Sequence, residues 1–333
     1  MNWLGRWSAH ALLALAGAAG TLSAAPASVV TRGLLLDACR VGHAVVAVGE
    51  RGNIVRSDDS GRSWEVLHTP SAATLTAVTF TDLQHGWAVG HLGTILATRD
   101  GGTTWSLQGE TLGPDVSLLD VTTFDNRHVL AVGAYGAAFH SYDGGRTWNP
   151  VRLLEEELHL NHLHVHSFEV FFAAGEAGTL RRIRDVRTPS EAVDVGYEGS
   201  FNGMIALPDA LLVYGLRGHV YRSVDEGVTW QPAAGIDPVL LSAGVRLTSG
   251  TVVVGGQARH FYISHDDGQT FQRWETPLIW AVSALVEAPD GFVLAFGEGG
   301  VARLEPPPPP PPADKADGPA ETVATPDRPP SQP

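Results

Sequence analysis

Leu75–Phe80, Gly86–Val89, Thr94–Thr98 and Trp105–Gln108 are four short runs, apolar throughout or alternating, each bounded by turn-forming residues. The pattern predicts four short β-strands in succession. It recurs along the chain. A Gly-x-x-Gly element followed by an apolar pair separates the second and third runs: Gly49-Glu-Arg-Gly52, Gly90-His-Leu-Gly93, Gly133-Ala-Tyr-Gly136, Gly175-Glu-Ala-Gly178, Gly215-Leu-Arg-Gly218 and Gly297-Glu-Gly-Gly300. Gly256-Gln-Ala-Arg259 is a degraded copy. The first glycines stand at 49, 90, 133, 175, 215, 256 and 297, so successive units are 40 to 43 residues apart. Seven units of one length mark a repeat fold.

Between the third and fourth runs lies Ser/Thr-x-Asp-x-Gly-x-Thr/Ser-Trp/Phe, the Asp-box turn. Its five copies align Asp59, Asp100, Asp143, Asp225 and Asp266. The carboxylate is expected to accept backbone N–H bonds within the turn, the glycine to take a left-handed φ, and the aromatic ring to close over the blade interior. These aspartates are therefore read as structural and not as acids. In the fourth unit Asp185 occupies the place, but Arg184-Asp-Val-Arg-Thr-Pro-Ser190 lacks the glycine and the tryptophan, so that turn is remodelled.

Four-stranded units repeated radially predict an all-β fold, a seven-bladed β-propeller of four-stranded antiparallel blades over residues 28–305. Parallel solenoid coils are shorter than these units. The seventh unit has runs at Ile279–Leu285, Val293–Phe296 and Val301–Leu304, then meets Pro306, which cannot donate a ladder bond. The leftover apolar segment Ser28–Thr31 is expected to supply the missing outer strand, so that the ring is closed by the N-terminal strand.

Residues 1–27 read as a secretory signal peptide, with a short apolar run at Ala11 to Ala19 and an A-x-A pattern at Ala25-Pro26-Ala27. The alternative is a retained membrane anchor. Residues 306–333 open with seven prolines and read as a stiff polyproline II stem and a disordered tail, or as a grip for a proline-binding partner. The mature chain is expected to be exported, periplasmic and monomeric, without a membrane span. A net charge of −14 disfavours nucleic acid as a partner. Cys39, the single cysteine, can form neither an intrachain disulfide nor a cysteine zinc site. No cofactor is called for.

Leu75-Thr-Ala-Val-Thr-Phe80, Gly86-Trp-Ala-Val-Gly90, Gly93-Thr-Ile95 and Asp100-Gly-Gly-Thr-Thr-Trp105 resemble the photosystem II stability/assembly factor-like family of Asp-box, or bacterial-neuraminidase-repeat, propellers. Gly175-Glu-Ala-Gly178, Tyr197-Glu-Gly-Ser-Phe201 and Gly215-Leu-Arg-Gly218 look most like its bacterial members outside photosynthesis. The resemblance spans 28–305. It implies a non-enzymatic binding or assembly factor for a membrane-associated protein complex, a photosystem or an envelope transporter of the resistance-nodulation type. The alternative is a sialidase-like glycoside hydrolase, since sialidases share the turn motif.

In such a blade the Gly-x-x-Gly turns and interblade connections lie at one end, and the Asp-boxes at the other. The Gly-turn end carries Glu50, Arg51, His91, Tyr135, Glu176, Tyr197, Phe201 and Arg217, the expected partner-binding rim, or else solvated turns with local ion pairs. A hydrolase would draw on Tyr135 or Tyr197 with Arg51, Arg217 and Glu176. His162, His164 and His166 share a strand face and raise a metal reading beside one of interblade packing. Arg181, Arg182, Arg184 and Arg187 form a basic knot, read either as a docking patch or as a solvated outer surface.

Overall fold

The computed structural model describes residues 33–109, 112–167 and 169–309. The expected signal peptide, the latch segment 28–31 and most of the proline-rich tail lie outside the described residues. Seven antiparallel sheets follow one another in chain order, six of four strands and the last of three. Their first strands are Leu35–Val41, Leu75–Phe80, Leu118–Thr123, Leu160–Ser167, Phe201–Leu207, Leu241–Arg246 and Val282–Glu287. Each abuts the first strand of the next blade, and the seventh abuts the first, so the sheets form a closed ring. This is the expected seven-bladed propeller.

Five of the second strands, such as Ala44–Gly49 and Val129–Gly133, are buried along their whole length, and Val170–Gly175 and Ala210–Gly215 along all but the first residue. That explains why they read as continuous apolar runs, whereas the half-buried first strands alternate. The core is divided among seven apolar clusters, each drawing on two neighbouring blades. Burial of apolar area between blades is thus the main cohesive term.

The first glycine of every Gly-x-x-Gly element is required by a close approach. A Cβ at Gly49, Gly90, Gly133, Gly175, Gly215, Gly256 or Gly297 would lie 2.0–2.4 Å from the carbonyl oxygen that precedes the first strand. The same carbonyl accepts the N–H of the residue after the glycine, as in Glu50 to Leu34 at 3.0 Å and Glu176 to His159 at 3.0 Å. This tight crossing leaves one unpaired residue in each first strand, a β-bulge.

The bulge turns a side chain toward the next blade. Thr76 donates to the Leu118 carbonyl at 2.9 Å, Asn161 to Phe201 at 2.9 Å, Asn202 to Leu241 at 2.8 Å, Ser242 to Val282 at 2.6 Å and Ser283 to Leu35 at 2.5 Å. Blades one and three carry Leu36 and Leu119 at the bulge and cannot donate. In both, the following residue is an aspartate: Asp37 accepts the Val78 N–H at 2.8 Å, and Asp120 accepts the Leu163 N–H at 2.7 Å. All seven junctions are therefore bridged by one polar side chain on the inner strand.

The seventh sheet ends with Gly300–Leu304 and has no fourth strand among the described residues. Its junction with blade one rests on an apolar cluster around Trp64 and Phe296, on the Ser283 bridge, and on Arg62 and Arg303, which share Asp290 at 2.7 and 2.5 Å.

Each Asp-box repeats one hydrogen-bond set. In the first, Asp59 Oδ1 accepts the Ser57 hydroxyl at 2.9 Å and the Arg62 and Ser63 amides at 3.0 and 2.8 Å, while Oδ2 accepts the Ser63 hydroxyl at 2.6 Å. The indole of Trp64 donates to the Gly61 carbonyl at 3.2 Å. Burial disfavours the Asp59 charge, but the hydrogen bonds from Ser63 and Ser57 outweigh it and hold the carboxyl at about 2. The hydrogen bonds of Thr229 and Ser223 hold Asp225 at about 2 as well.

These depressed values stabilise the fold above the ordinary carboxyl value of 3.8, and the contribution is lost as pH falls through about 2. Asp143→Ala should remove two amide bonds and cost about 1 kcal/mol. Its melting temperature should fall below the parent's at pH 7, and the gap should narrow as pH drops below the ordinary carboxyl value of 3.8, because burial raises the Asp143 carboxyl but the hydrogen bonds of Thr147 and Ser141 outweigh it and hold it down. A constant gap across that range would contradict the structural role. Ser283→Ala, which leaves the Leu35 carbonyl without its partner, should cost about 1 kcal/mol at any pH, read by the denaturant midpoint.

Candidate binding site

Among the described residues, the concave regions that join ionisable side chains of more than one blade include three. The first is the central channel, about 360 Å³, lined by residues of all seven first strands. It holds Asp37, Asp120 and His162. The His162 Nδ1 lies 3.0 Å from Asp120 Oδ2. Burial opposes protonation of His162, but the hydrogen bond and charge of Asp120, with Asp37 beyond, raise its pKa. Burial, and next the Asp120 charge, push the Asp37 carboxyl up to about 7 against the Val78 and Ala38 amides that hold it down. Asp37 opens onto the channel, so solvent there softens the shift. Burial also pushes the Cys39 thiol up to about 12. No arginine lines the channel among the described residues.

The second region lies at the Asp-box end between blades two and three. It is a cleft of about 330 Å³ walled by Trp87 and His85, with Arg99, Arg127 and Arg146 around it. All three arginines are exposed, and none has a side-chain hydrogen bond or ion pair among the described residues. Asp143 also lines the cleft, but its oxygens are engaged by Ser141, Arg146 and Thr147 of its own turn. The His85 imidazole is held by Asp82 at 2.9 Å. In a chain of net charge −14, three guanidiniums without a side-chain partner among the described residues concentrate positive charge at one cleft.

The third region is the neighbouring cleft between blades three and four, lined by Phe124, His128, His140, Tyr142 and the remodelled turn around Asp185.

The Gly-turn rim does not gather the expected residues into one site. Tyr135 is 70% exposed and packs edge-on against His159 at 4.8 Å, and His159 lies 3.4 Å from Glu176. Glu176 also accepts the His159 amide at 2.9 Å, bracing its own blade, as Glu298 does toward Ala281 at 3.3 Å. Tyr197 donates to the Leu216 carbonyl at 3.0 Å and packs on His219 with ring centroids 4.2 Å apart and planes tilted by 34°, next to the turn that bears Arg217. Glu50 and Arg51 stand on the turn of blade one, and His91 on that of blade two. Phe201 is a correction: it is fully buried in the core between blades four and five and has no surface to offer a partner. Its position opens the first strand, where the side chain turns inward.

The arginines of the basic knot are each held by nearby groups, and Arg182 and Arg184 share Glu191 at 3.9 and 3.6 Å. Arg181 donates to Ser190, Arg182 to the Glu226 carbonyl over the Phe172 ring, and Arg187 to Asp185. The histidines part company, because His162 pairs with Asp120 while His166 stands edge-on to Phe172 at 5.8 Å. No group of three or more His, Cys, Asp or Glu suited to a metal ion occurs among the described residues.

The arginine cleft escaped the sequence reading because its members lie in three different turns. Arg99 and Arg146 are variable positions of adjacent Asp-boxes, and Arg127 belongs to the first turn of blade three. Placing consecutive units around a ring and comparing their variable Asp-box residues would have brought them together.

The ring, its repeated turns and its interblade bridges define an Asp-box seven-bladed β-propeller. Within that class, part of the chain is similar to photosystem II assembly factors. A family profile described as "Photosynthesis system II assembly factor YCF48" matches residues 56–170. The photosystem II assembly protein Ycf48 of Thermosynechococcus vestitus is 48% identical over 42 residues, 13% of this chain and 12% of that protein. The chloroplastic photosystem II stability/assembly factor HCF136 of Cyanidioschyzon merolae is 35% identical over 82 residues, 23% of this chain and 19% of that protein. The matched stretches thus span less than a fifth of either curated relative. A solved structure described as YCF48 bound to D1 peptide superposes with a TM-score of 0.67 at 21% identity, over 81% of this chain and 91% of the other. It shares the fold.

Asp37 carries a pH prediction. Its pKa is raised from an ordinary 3.8 to about 7, so its contribution is fully present below about 4 and is lost as pH rises through 7. Asp37→Asn retains an oxygen for the Val78 N–H and removes the charge. Thermal melts should show the variant gaining on the parent chain between pH 4 and 7, with a flatter stability profile there and a constant advantage above pH 7. Parallel profiles would show that Asp37 is ionised at no cost.

Proposed function

We propose that this chain is an exported, periplasmic, non-enzymatic binding factor that captures an acidic peptide segment of a membrane-associated protein complex during its assembly. The observation that carries the reading is the cleft of Arg99, Arg127 and Arg146, cations without a side-chain partner among the described residues, on an acidic protein beside the Trp87 wall. Arginine and tryptophan are the residues on which binding energy concentrates at protein interfaces. A propeller of the same fold has been solved with a D1 peptide, which supports a peptide as the kind of ligand. A photosystem or an envelope transporter is the complex proposed, following the family likeness.

A sialidase-like hydrolase needs a tyrosine and an available carboxylate beside its arginines. Among the described residues the cleft is lined by no tyrosine, and the one carboxylate lining it, Asp143, is engaged in its turn. The reading therefore favours capture over catalysis, and places the working surface at the Asp-box end rather than at the rim of Arg51, His91, Tyr135, Tyr197 and Arg217.

The test is fluorescence anisotropy with a labelled, glutamate-rich peptide. Arg99→Glu with Arg127→Glu should weaken binding by at least about tenfold, and added salt should weaken it in the parent chain. Tyr197→Ala with Arg217→Glu should leave it unchanged. Loss of binding in the second pair and not in the first would move the site to the Gly-turn rim. Hydrolysis of a sialoside by the parent chain, abolished in the first pair, would restore the enzyme reading.

A further inference from the structure

Wherever an Asp-box is intact, its inner glycine lies against one residue of the preceding blade, three positions before that blade's first turn glycine. The pairs are Gly61 on Leu294, Gly102 on Val46, Gly145 on Trp87, Gly227 on Phe172 and Gly268 on Leu212. In blade three the equivalent residue is Leu130, and the turn that should cover it is the remodelled one of blade four, which has no glycine or tryptophan. A cleft of about 440 Å³ lies in that place, with Leu130 and Phe171 at its floor. Its size falls in the range of about 300–1,000 Å³ typical of ligand pockets.

The walls are aromatic. Phe124 stacks on His128 at 5.2 Å and 11°, His128 lies nearly parallel to His140 at 5.8 Å and 19°, and Tyr142 meets His140 edge-on at 4.1 Å and 89°. His140 is only 4% exposed, and its Nδ1 is buried without a hydrogen-bond partner among the described residues. Burial, and then the neighbouring His128, hold its pKa down at about 4, so the ring is neutral at pH 7. At the mouth, Arg187 is tied to Asp185, and Arg184 lies 3.6 Å from Glu191.

This cleft and the arginine cleft are the two sides of the same turns. Asn126 and Arg127 face the arginine cleft while Phe124 and His128 face this one; Gly144 lines the former and Tyr142 the latter. A chain lying across the turns of blade three reaches both. We propose that the blade-three/four cleft is an anchor pocket for an aromatic side chain of the acidic peptide held at Arg99, Arg127 and Arg146. The proposal rests on the reading of that neighbouring cleft as a peptide site. Ring walls favour an aromatic guest in offset or edge geometry, and the adjoining cations select a peptide in which acidic residues flank it.

The experiment uses the full chain and a set of glutamate-rich peptides in which one phenylalanine is walked along the sequence, with the matching alanine peptides as controls. At least one phenylalanine position should bind about 10- to 100-fold tighter than its control, the worth of burying one such ring. Val186→Trp, which fills the cleft from the remodelled turn, should reduce that peptide to its control and leave the control unchanged. Unaltered melting of Val186→Trp would confirm that the ring is intact.

Equal binding of all phenylalanine and alanine peptides overturns the pocket and leaves the arginine cleft standing. If no peptide binds, the arginine reading fails, and saturation-transfer NMR with N-acetyl-phenylalaninamide decides the pocket alone. Saturation transfer to the phenyl protons in the parent chain that disappears in Val186→Trp would support it, and no transfer in the parent chain would overturn it.

Discussion

At seven places the second strand of a blade passes the start of the first so closely that a side chain cannot fit between them. The crossing uses up one residue of the first strand as a bulge, and the bulged side chain then points along the ring instead of into its own blade. Five of the interblade bridges on the inner wall come from the bulged residue itself, and the two aspartate bridges from the residue after it. Apolar burial between blades supplies most of the cohesion but is non-directional; the bridges fix how one blade is set against the next. Hydroxyl or amide donors at five junctions and carboxylate acceptors at two are chemically opposite answers to one problem. The carboxylate answer brings a charge into the channel, and Asp37 bears its electrostatic cost.

The repeat made the fold legible, because each glycine and each Asp-box aspartate answers a backbone requirement that no other residue meets as well. Gly49 and its equivalents, and Asp59 and its equivalents, do in the structure what their sequence positions imply. The bridges were less legible. Leu36-Asp37 and Leu119-Asp120 stand where Thr76, Asn161, Asn202, Ser242 and Ser283 stand in other units. The alternation has meaning only once the bulge is known to aim the side chain across a junction.

The candidate sites were least legible. Phe201 looked like an exposed aromatic in a connection, yet it opens a strand and is buried. Arg99, Arg127 and Arg146 are ordinary turn residues one at a time and become a cation cluster only when blades two and three stand side by side. The irregular turn at Asp185 was visible as a departure from the repeat. What it uncovers belongs to the preceding blade, beyond the reach of any single unit's sequence. Both clefts flank blade three at the Asp-box end, the opposite end of the ring from the Gly-x-x-Gly turns.

Every bridge runs from a side chain on one blade to the main chain of the next. The receiving partner is a peptide group, which any blade possesses whatever its sequence. A unit excised and reinserted elsewhere in the ring would carry its own connector and find a compatible socket. Duplication or exchange of whole units can therefore proceed without matched changes in the neighbour's polar residues, leaving apolar fit between blades as the barrier to recombination.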